Sequence, residues 1–218
     1  IVLVILPFLI GLLILLRFFI ADEQVLTTNF GLWTTNLTFP TWLNYLLAGT
    51  CTLFIGIRLS RLFNNYAFTD KNTYITSLSF VVLFGLFSSF YTFSASAICQ
   101  LFILLSLFQL FQLQQNQKGN KPIFNSAVFL GLAISFAPIL MITLPFYYFM
   151  ILVIRPFVLR ELLLLLAGFA LPFIYLGLFL LFLEKPFSFD LTPPERTVDS
   201  FPLEGLSTLV LFILLFFV

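Results

Sequence analysis

Apolar runs of about 17 to 25 residues recur along this chain, the length that carries an α-helix across a bilayer. Such runs leave few folds open. Inside a bilayer no water is present to hydrogen-bond a bare peptide group, so each backbone must satisfy itself as a helix or a closed barrel. Barrel strands alternate apolar and polar residues over short segments, and these runs are apolar throughout. Composition agrees, with 61% hydrophobic and only 9% charged residues and a mean hydropathy of +1.13. Soluble domains are nearer half apolar and a quarter charged. The expected fold class is all-α, a polytopic transmembrane helical bundle.

Apolar spans are read at residues 1–20, 42–63, 74–92, 96–113, 124–154, 162–183 and 206–218, in one transmembrane domain covering 1–218. The chain opens on Ile1 and closes inside "LSTLVLFILLFFV", so a longer natural protein is expected at both ends. The first span lacks a basic leader and a small-residue cleavage site and reads as a retained helix. Cys51 and Cys99 fall inside spans and suit small apolar packing better than a disulfide or metal site. Histidine is absent, which leaves carboxylates, Arg, Lys or Tyr to do any acid–base work. No basic patch of the nucleic-acid-binding kind is present.

Charge sets the expected orientation. One set of connections holds Arg58, Arg61, Lys71, Lys118, Lys121, Arg155 and Arg160 with only Asp70 and Glu161. The other holds Asp22, Glu23, Glu184, Asp190, Glu195, Asp199 and Glu204 with Lys185 and Arg196. Short cytoplasmic loops are enriched in Lys and Arg, so the basic set is expected inside. The Asp22–Glu23 connection and the 184–205 loop then lie outside a bacterial inner membrane.

The same rule decides residues 124–154. As one helix they would run about 46 Å, against a hydrocarbon core of about 30 Å. Both flanks, "QKGNK" and "RPFVLR", are basic, which favours an even number of crossings. Pro138 disfavours helix at the residues before it. Two short helices, 124–137 and 139–154, are therefore expected to form a hairpin, bringing the total to about eight. Its turn is expected to be non-helical and covered by the bundle.

Asp22 and Glu23 admit two readings: the aqueous rim of a helix, or a general base and Mg²⁺ or Mn²⁺ ligand pair facing an outer cavity. The uncharged stretch after them carries Phe30, Trp33, Phe39 and Trp42, as an interfacial segment or an aromatic-anchored loop would. Asn36-Leu37-Thr38 fits a glycosylation sequon. Arg17 either snorkels to the interface or pairs with an acid or lipid phosphate. Arg196, in a Pro-stiffened loop, is solvated or meets a phosphate. Gln100, Ser106, Gln109, Tyr147 and Tyr148 read as helix-packing groups rather than ligands. No charge falls at a mid-membrane position, which argues against an ion-coupled transporter built on buried acids.

The stretch "SAVFLGLAISFAPILMITLP" and its continuation to residue 182 resembles the middle of C-type (GT-C) glycosyltransferases, with Gly131, Leu132, Ala133, Pro138 and Pro145 carrying the likeness. Those membrane enzymes use polyprenyl-phosphate sugars and keep an Asp or Asp-Glu after their first transmembrane helix, as Asp22-Glu23 stand here. The resemblance implies Asp22 as base, Glu23 as alternate base or metal ligand, and Arg17 or Arg196 against the phosphate. The outer turn "SSFYTFSASA" lacks the second charged residue of many members. The chain also resembles an uncharacterised family of small bacterial inner-membrane proteins. A non-catalytic subunit or assembly factor of an envelope complex, and a lipid or small-solute transporter, are the alternative readings.

Overall fold

A computed structural model of the chain describes residues 2–20, 27–29, 32, 36–38, 40–66, 74–85, 93–115, 120–154 and 159–184. The fold is all-α, with α1 (Val2–Ile20), α2 (Thr41–Asn65), α3 (Ile75–Gly85), α4 (Ala95–Gln115), α5 (Asn120–Phe136), α6 (Thr143–Ile154) and α7 (Leu159–Phe182). A ribbon of two three-residue strands, β1 (Thr27–Asn29) and β2 (Asn36–Thr38), joins α1 to α2. Residues 41–65, 95–113 and 159–182 are long and apolar enough to cross a membrane. Seven α-helices are described rather than about eight, and the 206–218 span lies outside the described residues.

The chain divides into two compact units, residues 1–28, 37–97 and 194–218, and residues 29–36 and 98–193. In the first, α1 buries Leu6, Leu9, Ile10 and Leu13, one helical face, against Val81 and Val82 of α3. The buried stripe of α2 is small: Ala48, Thr52, Gly56 and Ser60 recur every fourth residue. Small residues let helix backbones approach where lipid supplies no hydrophobic drive. A Cβ on Gly49 would overlap Ile14 Cδ1, and one on Gly56 would meet Leu6, Ser77 and Val81 at 3.5–3.8 Å.

The second unit is built on α5 and α7. A Cβ added to Gly131 would sit 2.7 Å from the Phe169 carbonyl oxygen. One on Gly168 would sit 2.7 Å from the Phe124 carbonyl oxygen and 2.9 Å from Ala127 Cβ. Early α5 residues thus meet Gly168 and a later one meets Phe169 and Pro172, so the helices run parallel. Pro172 lacks the N–H that would bond the Gly168 carbonyl, and glycine leaves the ring room one turn back. Around this crossing Leu110, Leu113, Ile123, Leu130, Ile134, Tyr147, Ile151 and Leu165 close the core.

Parallel α5 and α7 require the intervening chain to return, and it does. The helix stops at Phe136, and Ala137 is extended (φ −138°, ψ 87°), as a residue before proline must be. The hairpin arms are 120–136 and 143–154, with a 3-10 turn at Pro138–Ile142 instead of an uncoiled one. Its backbone is satisfied locally, Leu140 N–H donating to the Ala137 carbonyl at 3.0 Å and Thr143 Oγ1 to the Leu140 carbonyl at 2.7 Å. Pro138 is buried, but Ile139, Met141 and Ile142 face outward, so the turn is not covered as expected. Apolar side chains on a self-satisfied turn need no cover in lipid. From the α5–α7 register, the tip lies roughly two turns, about 10 Å, short of the end of α7.

The crossing yields a contrast among glycines. Gly131→Ala and Gly168→Ala are expected to destabilise by about 1–3 kcal/mol each, because backbone must move to admit the methyl. Gly177, with nothing within 4 Å of its Cβ position, should tolerate alanine or gain about 0.5–1 kcal/mol. Thermal unfolding in detergent reads all three, and equal shifts would contradict the close approach.

Candidate functional site

The residues singled out for chemistry are unevenly placed. Arg17 stands in the last turn of α1, with its side chain outside the described residues, and Asp22, Glu23 and Arg196 lie outside them entirely. Leu32, between β1 and β2, is 2% exposed and packs with Leu176, Leu180 and Phe173 of α7. Leu32 is thereby seated on the C-terminal half of α7. Glu184 lies at that end too, as an exposed residue in the left-handed conformation (φ 52°) just past the helix. Lys121 and Arg160 open α5 and α7 at the opposite end of the same unit.

Within the first unit, Asn44 is buried near the start of α2, and its Oδ1 accepts the Phe93 N–H at 2.6 Å. Phe93 precedes α4, where backbone donors have no helical partner. A side-chain amide from α2 thereby fastens the entry of α4 beside the start of α2. Asn44 is not among the residues that sequence singled out, being one polar residue inside an apolar span. Its signal was there: an amide at the head of an apolar helix must find a partner.

The second unit holds a buried hydroxyl chain. Ser106 of α4 donates to the Ser126 carbonyl of α5 at 2.7 Å. Tyr147 of α6 lies 2.6 Å from Ser106 Oγ and 2.9 Å from the Ser106 carbonyl. With the serine proton on the Ser126 carbonyl, the single tyrosine proton goes to the Ser106 carbonyl and is at most shared with Ser106 Oγ. Ser126 Oγ turns back to the Ile123 carbonyl at 2.8 Å. Three helices are thus tied by groups whose donors are all spent within the bundle, the packing role expected of Ser106 and Tyr147.

Among the described residues no group of three or more His, Cys, Asp or Glu side chains could hold a metal ion. The carboxylates proposed for Mg²⁺ or Mn²⁺ are Asp22 and Glu23, beyond those residues.

Removing the two partners of the hydroxyl chain should have unequal effects. Ser106→Ala strands the Ser126 carbonyl's extra bond and leaves Tyr147 only the Ser106 carbonyl, at a cost of about 1–2 kcal/mol. Tyr147→Phe removes a terminal donor alone and should cost about 0.6 kcal/mol. Unfolding in detergent measures both, and a larger effect for Tyr147→Phe would reverse the assigned direction of donation. Comparison of this chain with family models, with curated proteins and with solved structures gives no match.

Proposed function

We propose that the chain is a multi-pass protein of the bacterial inner membrane with a C-type glycosyltransferase-like core, moving a sugar from a polyprenyl-phosphate donor to an acceptor on the outer face. The observation that carries its orientation is the parallel run of α5 and α7. It gathers Lys121 and Arg160 at one end of the unit, and Leu32 and Glu184 at the other. That division supports a basic cytoplasmic side and an outer side holding both acidic connections. The α2 helix has matching anchors: exposed Trp42 precedes Arg61 by 19 residues, about 28 Å along the axis and close to the hydrocarbon thickness.

The reaction itself rests on the family resemblance, which licenses a fold more readily than a chemistry. In it the Asp22 carboxylate takes the acceptor hydroxyl proton. The acceptor oxygen bonds to the anomeric carbon as the bond from that carbon to phosphate oxygen breaks. Polyprenyl phosphate leaves with the electron pair, its charge met by Arg17 or Arg196. Glu23 is the alternate base. Carboxylate oxygens are also donors that a hard divalent cation accepts, and Mg²⁺ or Mn²⁺ held there would steady the phosphate charge.

A second reading, a non-catalytic subunit of an envelope complex, draws on the hydroxyl chain of Ser106, Ser126 and Tyr147, which is consumed in helix packing. Transfer from labelled polyprenyl-phosphate sugar by membranes carrying the chain separates the two. Asp22→Asn is expected to lower the rate about a hundredfold or more, with Glu23→Gln milder. Unchanged transfer in the double variant would remove the site. A wild type inert toward a panel of donors would favour the subunit.

Orientation is checked separately. Cysteines introduced at Lys121 and Arg160 should react with a membrane-impermeant maleimide only after the cytoplasmic face is opened, and one at Glu184 should react before.

A further inference from the structure

Along α2, Trp42, Leu46, Thr50, Phe54, Arg61 and Asn65 are exposed, and Arg58 is half-buried in the same stripe, at steps of three and four residues. Trp42, Leu46 and Phe54 are 59%, 53% and 40% exposed. Thr50 spends its hydroxyl on the Leu47 carbonyl at 2.9 Å, so it shows an apolar side outward. The stripe is therefore apolar for about three turns and then carries two guanidinium groups and an amide.

Arg58 does not extend away from the apolar part. Its Cζ lies 5.0 Å from the centroid of the Phe54 ring, one turn back toward the middle of the helix. Side chains on a helix lean toward its N-terminus, which makes this the natural contact. The stacking places a permanent charge about 18–24 Å along the axis from Trp42, inside the depth of the acyl–glycerol boundary. Among the described residues neither Arg58 nor Arg61 has an acidic partner. A guanidinium held there is costly unless an anion or water reaches it. A guanidinium whose carbon lies over a ring still has its N–H groups at the rim of its plane, and these are the groups that pair with phosphate oxygens. Arg61 follows by three residues on the same face and can share the same anion.

We infer that Phe54, Arg58 and Arg61 form a binding site for the phosphate of an anionic phospholipid, with its acyl chains along Trp42, Leu46 and Thr50. Asn65, exposed one turn further, offers its amide to the headgroup beyond the phosphate. The charge pair selects an anionic lipid over a zwitterionic one, and the apolar stripe selects a lipid over free phosphate. The site lies at the C-terminal end of α2, the opposite end from Asp22 in the proposed orientation. It rests on the chain being membrane-embedded and not on any transfer activity.

The test places the full chain in phosphatidylcholine nanodiscs doped with phosphatidylglycerol and reads, by native mass spectrometry, the lipid retained per chain. The wild type should enrich phosphatidylglycerol over phosphatidylcholine, and R58Q/R61Q should lose about tenfold of that enrichment. Arg61 is exposed and Arg58 half-buried, and equal melting temperatures in pure phosphatidylcholine verify that the fold survives. F54L keeps both charges and should lose part of the enrichment, while K121Q should keep all of it. Unaltered enrichment in R58Q/R61Q overturns the site. Displacement of the lipid by millimolar inorganic phosphate overturns the lipid as occupant, and an F54L protein indistinguishable from wild type overturns the stacked geometry.

Discussion

The second unit depends on two helix backbones meeting with no side chain between them. Gly131 faces the Phe169 carbonyl and Gly168 faces the Phe124 carbonyl, each at a distance that admits hydrogen but not a methyl. In lipid, association must come from close packing and polar contacts, since hydrocarbon surrounds the helices in either state. Closeness of this kind also allows Cα–H groups to point at carbonyl oxygens, a small but repeated gain. Once α5 and α7 are locked in parallel, the segment between them has to return. The break at Ala137 and Pro138 and the α6 arm result from that geometry, as does the grouping of Lys121 with Arg160.

Polar side chains in the bundle are few, and those with assigned bonds serve the packing. Tyr147, Ser106 and Ser126 link α6, α4 and α5, while Asn44 receives the amide before α4. Unsatisfied, any of these would cost more than its bond contributes, so each fixes a neighbour as well as stabilising it. In the connection after α1, Leu32 packs on Leu176 and Leu180 of α7. Toward the C-terminal end of α2, Arg58 is laid back over the Phe54 ring.

Much of this architecture is legible in the sequence. The apolar runs announce helices, and two basic flanks around an overlong segment require a hairpin, with Pro138 marking its turn. The boundaries moved because a helix start is set by backbone bonding rather than by hydropathy: α5 begins at Asn120, within a polar stretch. The 3-10 turn was not legible, since proline forbids helix behind it without dictating the conformation ahead of it. Nor were the partners of Asn44 and Ser106, because a hydroxyl or amide advertises a need and not who meets it. Asp22, Glu23 and Arg196 stand out in the sequence by charge and by resemblance, and they lie outside the described residues.

Sequence by itself determined that this chain is helical, apolar and asymmetric in charge, because apolar runs of bilayer length satisfy their backbones as helices and most Lys and Arg fall at one set of connections. Tertiary structure decided which helices touch and in what direction. Small residues at Ala48, Thr52, Gly56, Ser60, Ala127, Gly131 and Gly168 permit close approach to any partner. Only the packed bundle selects one, since the gain from approach is realised when a particular carbonyl, ring or methyl fills the space that glycine leaves.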